Sequence, residues 1–462
     1  MQHLVNIEVI NDANGIAQPT DGVMMIFAKG VAVSGKFALN TAYLLTSPDD
    51  LVTYGIDEAY DTTNSVAVYQ QVTEYYQAAG TGALLWLVGV AKATAYATFV
   101  ASTTFQDLVR ITGQADPANR AKMLGFCYDV PAATQSLADF PADVTATLTA
   151  LQTAQLDMFN QGYQWSAVVD GYNMSSGVTP ATIGTMATKA CPSVSLCITG
   201  TKPNGVSGIG LVLGRFSRIT IGHGFGAVKD GPIAPSTAFL TNAVSIPTTG
   251  ALTVGKTYTV YGPAGAIVTY NSVAYPVGTV DTPTQFIAVT GFTTFTATGG
   301  GYVVEGFTPV SGLSPTFINQ LGQKQFMFLR TWLNHSGFYW NDGATCEAIT
   351  KQLSTQEYNR VVNSLSASAL AFFIDEMGSN LPLDVRTGAV DQGYLNAKQA
   401  DFYTRYISPL TVAAGTGDIT DGSITVTGPN FNATKTLNFT LVIVPTPILG
   451  TVNGVVRFSS TL

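Results

Sequence analysis

Apolar and polar residues alternate with the period of a half-buried strand at both ends of the chain, in segments that have no neighbouring strand in sequence to pair with. Val5-Asn6-Ile7-Glu8-Val9 is cut off by the turn residues Asn11-Asp12-Ala13-Asn14-Gly15, and Pro19-Thr20-Asp21-Gly22 repeats the punctuation before the next apolar run. Leu437-Asn438-Phe439-Thr440-Leu441 alternates in the same way; Pro445 and Pro447 interrupt it, and Val455-Val456-Arg457-Phe458 resumes. An isolated strand leaves its backbone donors and acceptors unpaired. Such ends either tuck into their own domain's sheet or add to the edge of a neighbour's.

Between the ends the texture changes three times. From Gly82 to about Gly200, the runs Leu84 to Val90, Met123 to Tyr128, Trp165 to Val169 and Val194 to Thr199 read as buried strands. They alternate with helical spacing, as at Val144, Leu148 and Leu151 behind Pro141, and an earlier helix is expected from Ser65 to Ala79, ended by Gly80. Strand and helix in repetition predict a layered α/β sheet. From Thr241 to Gly306 the composition shifts to Thr, Val, Gly and Tyr, with Lys256, Asp281 and Glu305 as the only charged side chains. The pieces Thr257 to Tyr261, Ala266 to Tyr270, Gln285 to Val289 and Tyr302 to Glu305 predict a small all-β module, read as an insertion on a loop, where added length costs little.

The third texture begins near Gln325. Phe326 to Arg330 and Gly337 to Asn341 read as strands, and Ser354-Thr355-Gln356-Glu357 reads as a capping box before the stripe Tyr358, Val361, Val362, Leu365 and Phe372. A further helix from Tyr394 to Tyr406 and a strand from Leu437 to Val444 complete an α+β unit. The expected organisation is an N-terminal arm (1–20), an α/β body (21–240), the all-β insertion (241–306), a return to the body (307–324), a C-terminal α+β domain (325–444) and a C-terminal arm (445–462).

Composition favours assembly. Charged residues are 11% of the 462, against about 25% in an average soluble domain, while apolar residues are plentiful. A surface so poor in charge calls for covering. The longest apolar run, Ala83 to Val90, is far short of the ~18 residues of a membrane span, so direct membrane insertion is not expected. The N-terminus lacks a secretory pattern, which leads to an expectation of cytoplasmic synthesis. Four scattered cysteines make no disulfide framework, and a net charge of −8 without a basic cluster argues against a nucleic-acid partner.

Candidate chemistry dissolves on inspection. Gly30-Val31-Ala32-Val33-Ser34-Gly35-Lys36-Phe37 has the glycine and lysine spacing of a P-loop, but Phe37 stands where Ser or Thr must hold Mg²⁺. Gly208-Ile209-Gly210-Leu211-Val212-Leu213-Gly214 is out of register for a dinucleotide fingerprint, and close backbone packing explains its glycines better. His335, Asp342 and Cys346 are near in sequence only, amid aromatics that read as core or interface. Asp375 and Glu376 are adjacent and so point apart. Three histidines make no zinc spacing. No catalytic residue, cofactor or metal is expected.

One set of segments is more specific. Gly205 to Pro232 (GVSGIGLVLGRFSRITIGHGFGAVKDGP), Arg330-Thr331-Trp332, the stretch from Gly337 to Gly343 (GFYWNDG), Pro382 to Gly388 (PLDVRTG) and the early Tyr43 to Leu51 (YLLTSPDDL) together resemble tail sheath proteins of contractile bacteriophage tails and related injection systems. The resemblance covers most of the chain outside the β insertion.

It implies a mechanical role rather than an enzymatic one. Sheath subunits of that family stack as hexameric rings around an inner tail tube, attach to baseplate and tail terminator proteins, and contract without ATP to drive the tube through the bacterial envelope. Their terminal arms lend strands to neighbours, which here designates Val5, Ile7 and Val9 at one end and Val455, Val456 and Phe458 at the other. Asn453-Gly454 departs from the pattern, since this two-residue hairpin signal folds the last strand back. The family's C-terminal domain faces the tube, which makes Lys398, Asp401 and Arg405 candidate tube contacts, against the plainer reading of a solvated helix face. The expected location is a virion tail assembled in the host bacterial cytoplasm. The competing reading is a virion surface or adhesion protein whose β insertion binds a host glycan or receptor.

Overall fold

A computed structural model describes residues 22–448, apart from 115–118, 132–141, 174–182, 203, 234–236, 241–243, 247–251, 253, 256, 264, 279–283, 290–295, 306–309, 375–378, 414, 429–430 and 432–436. The N-terminal arm 1–20 and residues 449–462 of the C-terminal arm, with Val5, Ile7, Val9, Val455, Val456 and Phe458, lie outside the described residues, as do Asp375 and Glu376; Pro445, expected to open the C-terminal arm, ends a strand instead. The architecture is mixed α/β with several sheets.

Its centre is a six-stranded sheet. Met24–Gly30 (β1), Ala42–Leu45 (β2), Leu85–Ala91 (β3), Met123–Cys127 (β4), Ser166–Asp170 (β5) and Val194–Cys197 (β6) run in the order β2-β3-β1-β4-β5-β6. Every pairing is parallel except that of β2 with β3. Parallel strands covered on both faces need no polar side, and every residue of β1, β4, β5 and β6 is buried. The four strands expected between residues 84 and 199 are β3 to β6, within a residue or two of their ends.

Helices Asp50–Thr53 (α1), Glu58–Asn64 (α2), Val68–Ala79 (α3), Tyr96–Val100 (α4), Thr103–Ile111 (α5), Ala142–Asn160 (α6) and Ile209–Arg218 (α7) accompany the sheet. α3 packs on α7 and α4 on α6. The helix expected from Ser65 begins later, because Ser65 takes a left-handed conformation (φ 51°) that ends α2. Asp61 then accepts hydrogen bonds from the Tyr69 and Gln70 amides, at 3.1 and 2.9 Å, and so caps α3.

Residues 244–305 form two antiparallel sheets. Val244–Ile246 (β7), Thr257–Tyr261 (β8), Ile267–Tyr270 (β9), Val273–Pro276 (β10), Gln285–Ile287 (β11), Thr296–Thr298 (β12) and Tyr302–Glu305 (β13) pair as β10-β9-β12 and β11-β8-β13-β7. They enclose a core of their own that includes Tyr258, Val268, Tyr270, Phe286 and Val303. Asn271 and Ser272 both take positive φ (48° and 65°), the geometry that closes a two-residue hairpin between β9 and β10.

The remaining elements are Pro315–Gln323 (α8), Leu329–Trp332 (β14), His335–Trp340 (β15), Gln356–Ile374 (α9), Gln392–Phe402 (α10), Ile419–Thr427 (β16) and Asn438–Pro445 (β17). The cores do not part at residue 325, where a domain boundary is expected. Phe326, Met327, Phe328, Leu329, Trp340 and Cys346 all sit in the body's core, and Met327 bridges Cys197, the last residue of β6. The apolar run 326–329 is fully buried beside β6, where the Met327 amide donates to the Leu196 carbonyl and the Ile198 amide to the Met327 carbonyl, each at 3.0 Å. A second core begins with α9 and gathers Val361, Leu365, Phe372, Leu395, Phe402, Ile424 and Val426.

Candidate assembly interface

β16 and β17 form a two-stranded antiparallel sheet in which Ile424 faces Leu441, Val426 faces Phe439 and Ser423 faces Val442. One face is apolar and packs inward: Ile424 and Val426 are buried, and Phe439 stacks on Phe373 with ring centres 5.1 Å apart. The other face presents Ser423, Thr425, Thr440, Val442 and Val444 to solvent, with Val442 51% and Val444 46% exposed. Among the described residues neither outer edge of this sheet carries a further strand. At the start of β16, Thr411 bridges Ile419 and the Val412 amide donates to the Ile419 carbonyl at 3.0 Å; beyond that point a two-stranded ribbon of this length presents a row of backbone N–H and C=O groups along its edges. β16 escapes the sequence reading because Asp421-Gly422 looks like a turn; the alternation of Ile424 and Val426 with Ser423, Thr425 and Thr427 is the signal that marks it.

α10 lies against β16. Asp391 caps it by accepting from the Tyr394 amide at 3.0 Å. The helix expected to reach Tyr406 passes at Tyr403 into a π turn that seats Ile407 in the core. Asp401 and Arg405 pair with each other at 2.7 Å across one turn, both partly open to solvent. Lys398 rests its ammonium 5.7 Å from the Phe372 ring and 5.5 Å from that of Tyr394. The structure therefore joins Asp401 to Arg405 and sets Lys398 beside aromatic rings.

α9 joins this unit to the body through buried polar side chains. Gln356 Nε2 donates to Ser195 Oγ at 2.8 Å and to the Ala167 carbonyl at 3.3 Å, and Asn359 donates to the Pro192 carbonyl at 2.6 Å. Arg360, 1% exposed, donates to the carbonyls of Phe216, Ile219 and Thr220 at 3.0 to 3.2 Å, closing the C-terminus of α7 where a cation suits the helix dipole. Asp418 accepts from Thr220 Oγ1 and the Gly222 amide, both at 2.9 Å. The expected capping box has another use here. Glu357 Oε1 takes the Phe225 amide at 2.6 Å, while its other oxygen is buried without a partner. Beside it, burial and then the Glu357 carboxylate push Asp342 up to about 7.

The candidate enzymatic motifs resolve into packing. Gly30–Phe37 contains a tight turn in which the Val33 and Phe37 backbones bond each other at 2.9 Å. Gly210 and Gly214 let α7 lie directly on the backbone of α3. His335 is exposed on β15, Asp342 is half-buried and Cys346 is buried, with the Asp342 carboxylate taking the Ala344 amide and the Cys346 amide bonding the Val194 carbonyl. Among the described residues no three His, Cys, Asp or Glu side chains could hold a metal ion, and no helix is long and apolar enough to cross a membrane.

Residues 3–253 match the family model of the DUF2586 N-terminal domain. The chain belongs to the DUF2586 family. Its fold is that of contractile sheath proteins. This DUF2586 chain is similar over 100% of its length, at 10% identity, to a chain of the anti-feeding prophage helical sheath in its contracted state (TM-score 0.52, all of that chain covered). The same identity and coverage relate it to a chain of the anti-feeding prophage baseplate structure (TM-score 0.51). A chain of the PVC sheath complex of an extracellular contractile injection system, also in its contracted state, aligns at 10% identity over 100% of this chain and 98% of that one (TM-score 0.50). No curated protein matches the sequence.

Proposed function

We propose that this chain is a structural sheath subunit, not an enzyme, which polymerises as stacked hexameric rings around an inner tail tube and contracts to drive that tube through a bacterial envelope. The observation that carries the reading is the two-stranded β16–β17 ribbon, whose outer edges pair with no further strand among the described residues and are engaged there only by the Thr411–Ile419 bridge at the start of β16. Its edges receive the terminal strands of neighbouring copies, Val5, Ile7 and Val9 from one and Val455, Val456 and Phe458 from another. Backbone hydrogen bonds hold such strands whatever their side chains, and apolar alternation sets their register. A lattice tied in this way deforms without coming apart.

Contraction is then the passage of a bistable assembly to the state with more buried interface, and it requires no nucleotide. Residues 1–20 and 446–462 act as arms, the sheets of residues 241–306 decorate the outside, and Lys398, Asp401 and Arg405 face the tube. Baseplate and terminator proteins bound the sheath in a tail assembled within the bacterial cytoplasm. The test is electron microscopy of purified protein. The full chain forms rings or hollow tubes without nucleotide; a chain lacking residues 1–14 stays soluble and monomeric. Tubes formed equally well by the truncated chain would refute strand lending by the N-terminus.

A further inference from the structure

Cys191 and Cys346 face each other as the paired residues of an antiparallel β-bridge, and the Cys191 amide donates to the Cys346 carbonyl at 2.8 Å. Residues paired in this way stand about 4.5–5.5 Å apart at Cα with their side chains on the same side. A disulfide spans about 4.4–6.8 Å between Cα atoms. Both side chains are buried, Cys191 at 3% and Cys346 at 0% exposure, and both are free thiols. Cys127 and Cys197 differ in the decisive respect. They lie on β4 and β6 with β5 between them, two strand spacings or roughly 9.5 Å apart, beyond the reach of a bridge.

We propose that Cys191 and Cys346 are an oxidation site which closes to a disulfide when the protein leaves a reducing compartment. The bond would staple the strand leading into β6 to the segment between β15 and α9, a junction that rests on hydrogen bonds and packing while the thiols are reduced. The reaction is exchange with a small disulfide such as oxidised glutathione. One cysteine sulfur bonds one carrier sulfur and releases the first carrier thiol; the other cysteine sulfur displaces the second, and the two cysteine protons end on the two carrier thiols. Cys191 is the point of entry. Its thiol already donates to the Lys189 carbonyl at 3.3 Å, and Lys189 is the cation beside it. Burial pushes Cys191 up to about 11 and Cys346 well above the usual thiol range, so only about one Cys191 in a thousand is ionised at pH 8 and closure is slow.

The test incubates the purified full chain with oxidised glutathione at about pH 8.5 to 9, where the thiolate fraction rises. Aliquots are denatured under alkylating conditions and mapped as non-reduced peptides. The expected result is one cross-linked pair joining Cys191 to Cys346, lighter by two hydrogens, with Cys127 and Cys197 alkylated and with a Tm raised by several degrees until dithiothreitol is added. Cys191→Ser abolishes the linked peptide and the Tm rise; Cys346→Ala does the same and serves where the first variant folds poorly. Four alkylated thiols after prolonged oxidation, or a linkage between any other pair, would overturn the proposal.

Discussion

Gly210→Ala tests the contact on which the body is built. A Cβ at Gly210 would stand 1.9 Å from the Gln71 carbonyl oxygen, 2.8 Å from its carbon and 2.9 Å from the Tyr75 nitrogen, all backbone atoms of α3. Reaching even 3.0 Å requires about 1.1 Å of separation between two helices whose obstructing atoms cannot rotate away. Overpacking of this kind costs about 1–3 kcal/mol, and the rigid obstacle puts it at the upper end. The same separation loosens both bonds of Gln71, to the Ser207 carbonyl and from the Gly210 amide, each 2.7 Å long and worth about 1 kcal/mol. Alanine's higher helix propensity returns about 1 kcal/mol. The net expectation is a loss of about 2–4 kcal/mol, balancing those terms. Gly322→Ala is the control, since nothing lies within 4 Å of its Cβ in α8, and it should gain up to about 1 kcal/mol. Urea midpoints followed by tryptophan fluorescence read both variants, because Trp86 and Trp165 lie in or beside the body's strands. A Gly210→Ala midpoint at or above that of the parent chain, or an equal fall for Gly322→Ala, would refute the backbone-contact argument.

Arg360→Ala should cost on the order of 4 kcal/mol, because it removes three charge-assisted bonds and leaves buried carbonyls at the end of α7 unsatisfied. Arg360→Lys should recover only part of this, since one ammonium cannot reproduce the fork; both are read as shifts in urea midpoint. Asp342→Asn should leave stability nearly unchanged below about pH 4 and raise it by about 2–4 kcal/mol at pH 8. Asp342 sits near 7 in the fold against an ordinary 3.8, so the folded state holds the extra proton and the parent chain loses stability as pH rises between those values; equal pH profiles for parent and variant would sink the assignment.

The buried strands were legible because a parallel strand covered on both faces has no polar side, so its residues form a continuous apolar run such as Leu85 to Val90. The glycines of α7 were legible as packing because Gly210 and Gly214 fall on one helix face, four residues apart. Arg360 and Asp418 were not. Their partners lie 140 to 198 residues away, and neither residue differs in composition or spacing from one that faces solvent. Glu357 misled for a related reason. The capping pattern was present, but a buried amide at Phe225 offers the carboxylate a partner that only the tertiary fold supplies. The division at residue 325 failed because an apolar run reports burial without saying against which core. For the assembly surface, the alternation of β17 was readable from sequence; the two-stranded ribbon that makes it a candidate acceptor appears only when β16 is seen beside it.

The two halves of α9 hold their neighbours in different ways, and the difference bears on how load would pass through the chain. In its first turn and a half, Gln356, Glu357, Asn359 and Arg360 are all buried, and each bonds to backbone of the α/β body. Such bonds are directional and weaken steeply when geometry shifts, so this end of the helix cannot slide. Further along, Val361, Leu365, Ala369 and Phe372 meet the core beneath β16 and β17 through apolar contact, which is non-directional and tolerates small displacements. The β16–β17 ribbon is thus tied to the body by two routes: through α9, whose Arg360 meets the end of α7, and through Asp418, just before β16, which bonds Thr220 and Gly222 directly; from α7 contact continues to α3 through the glycines.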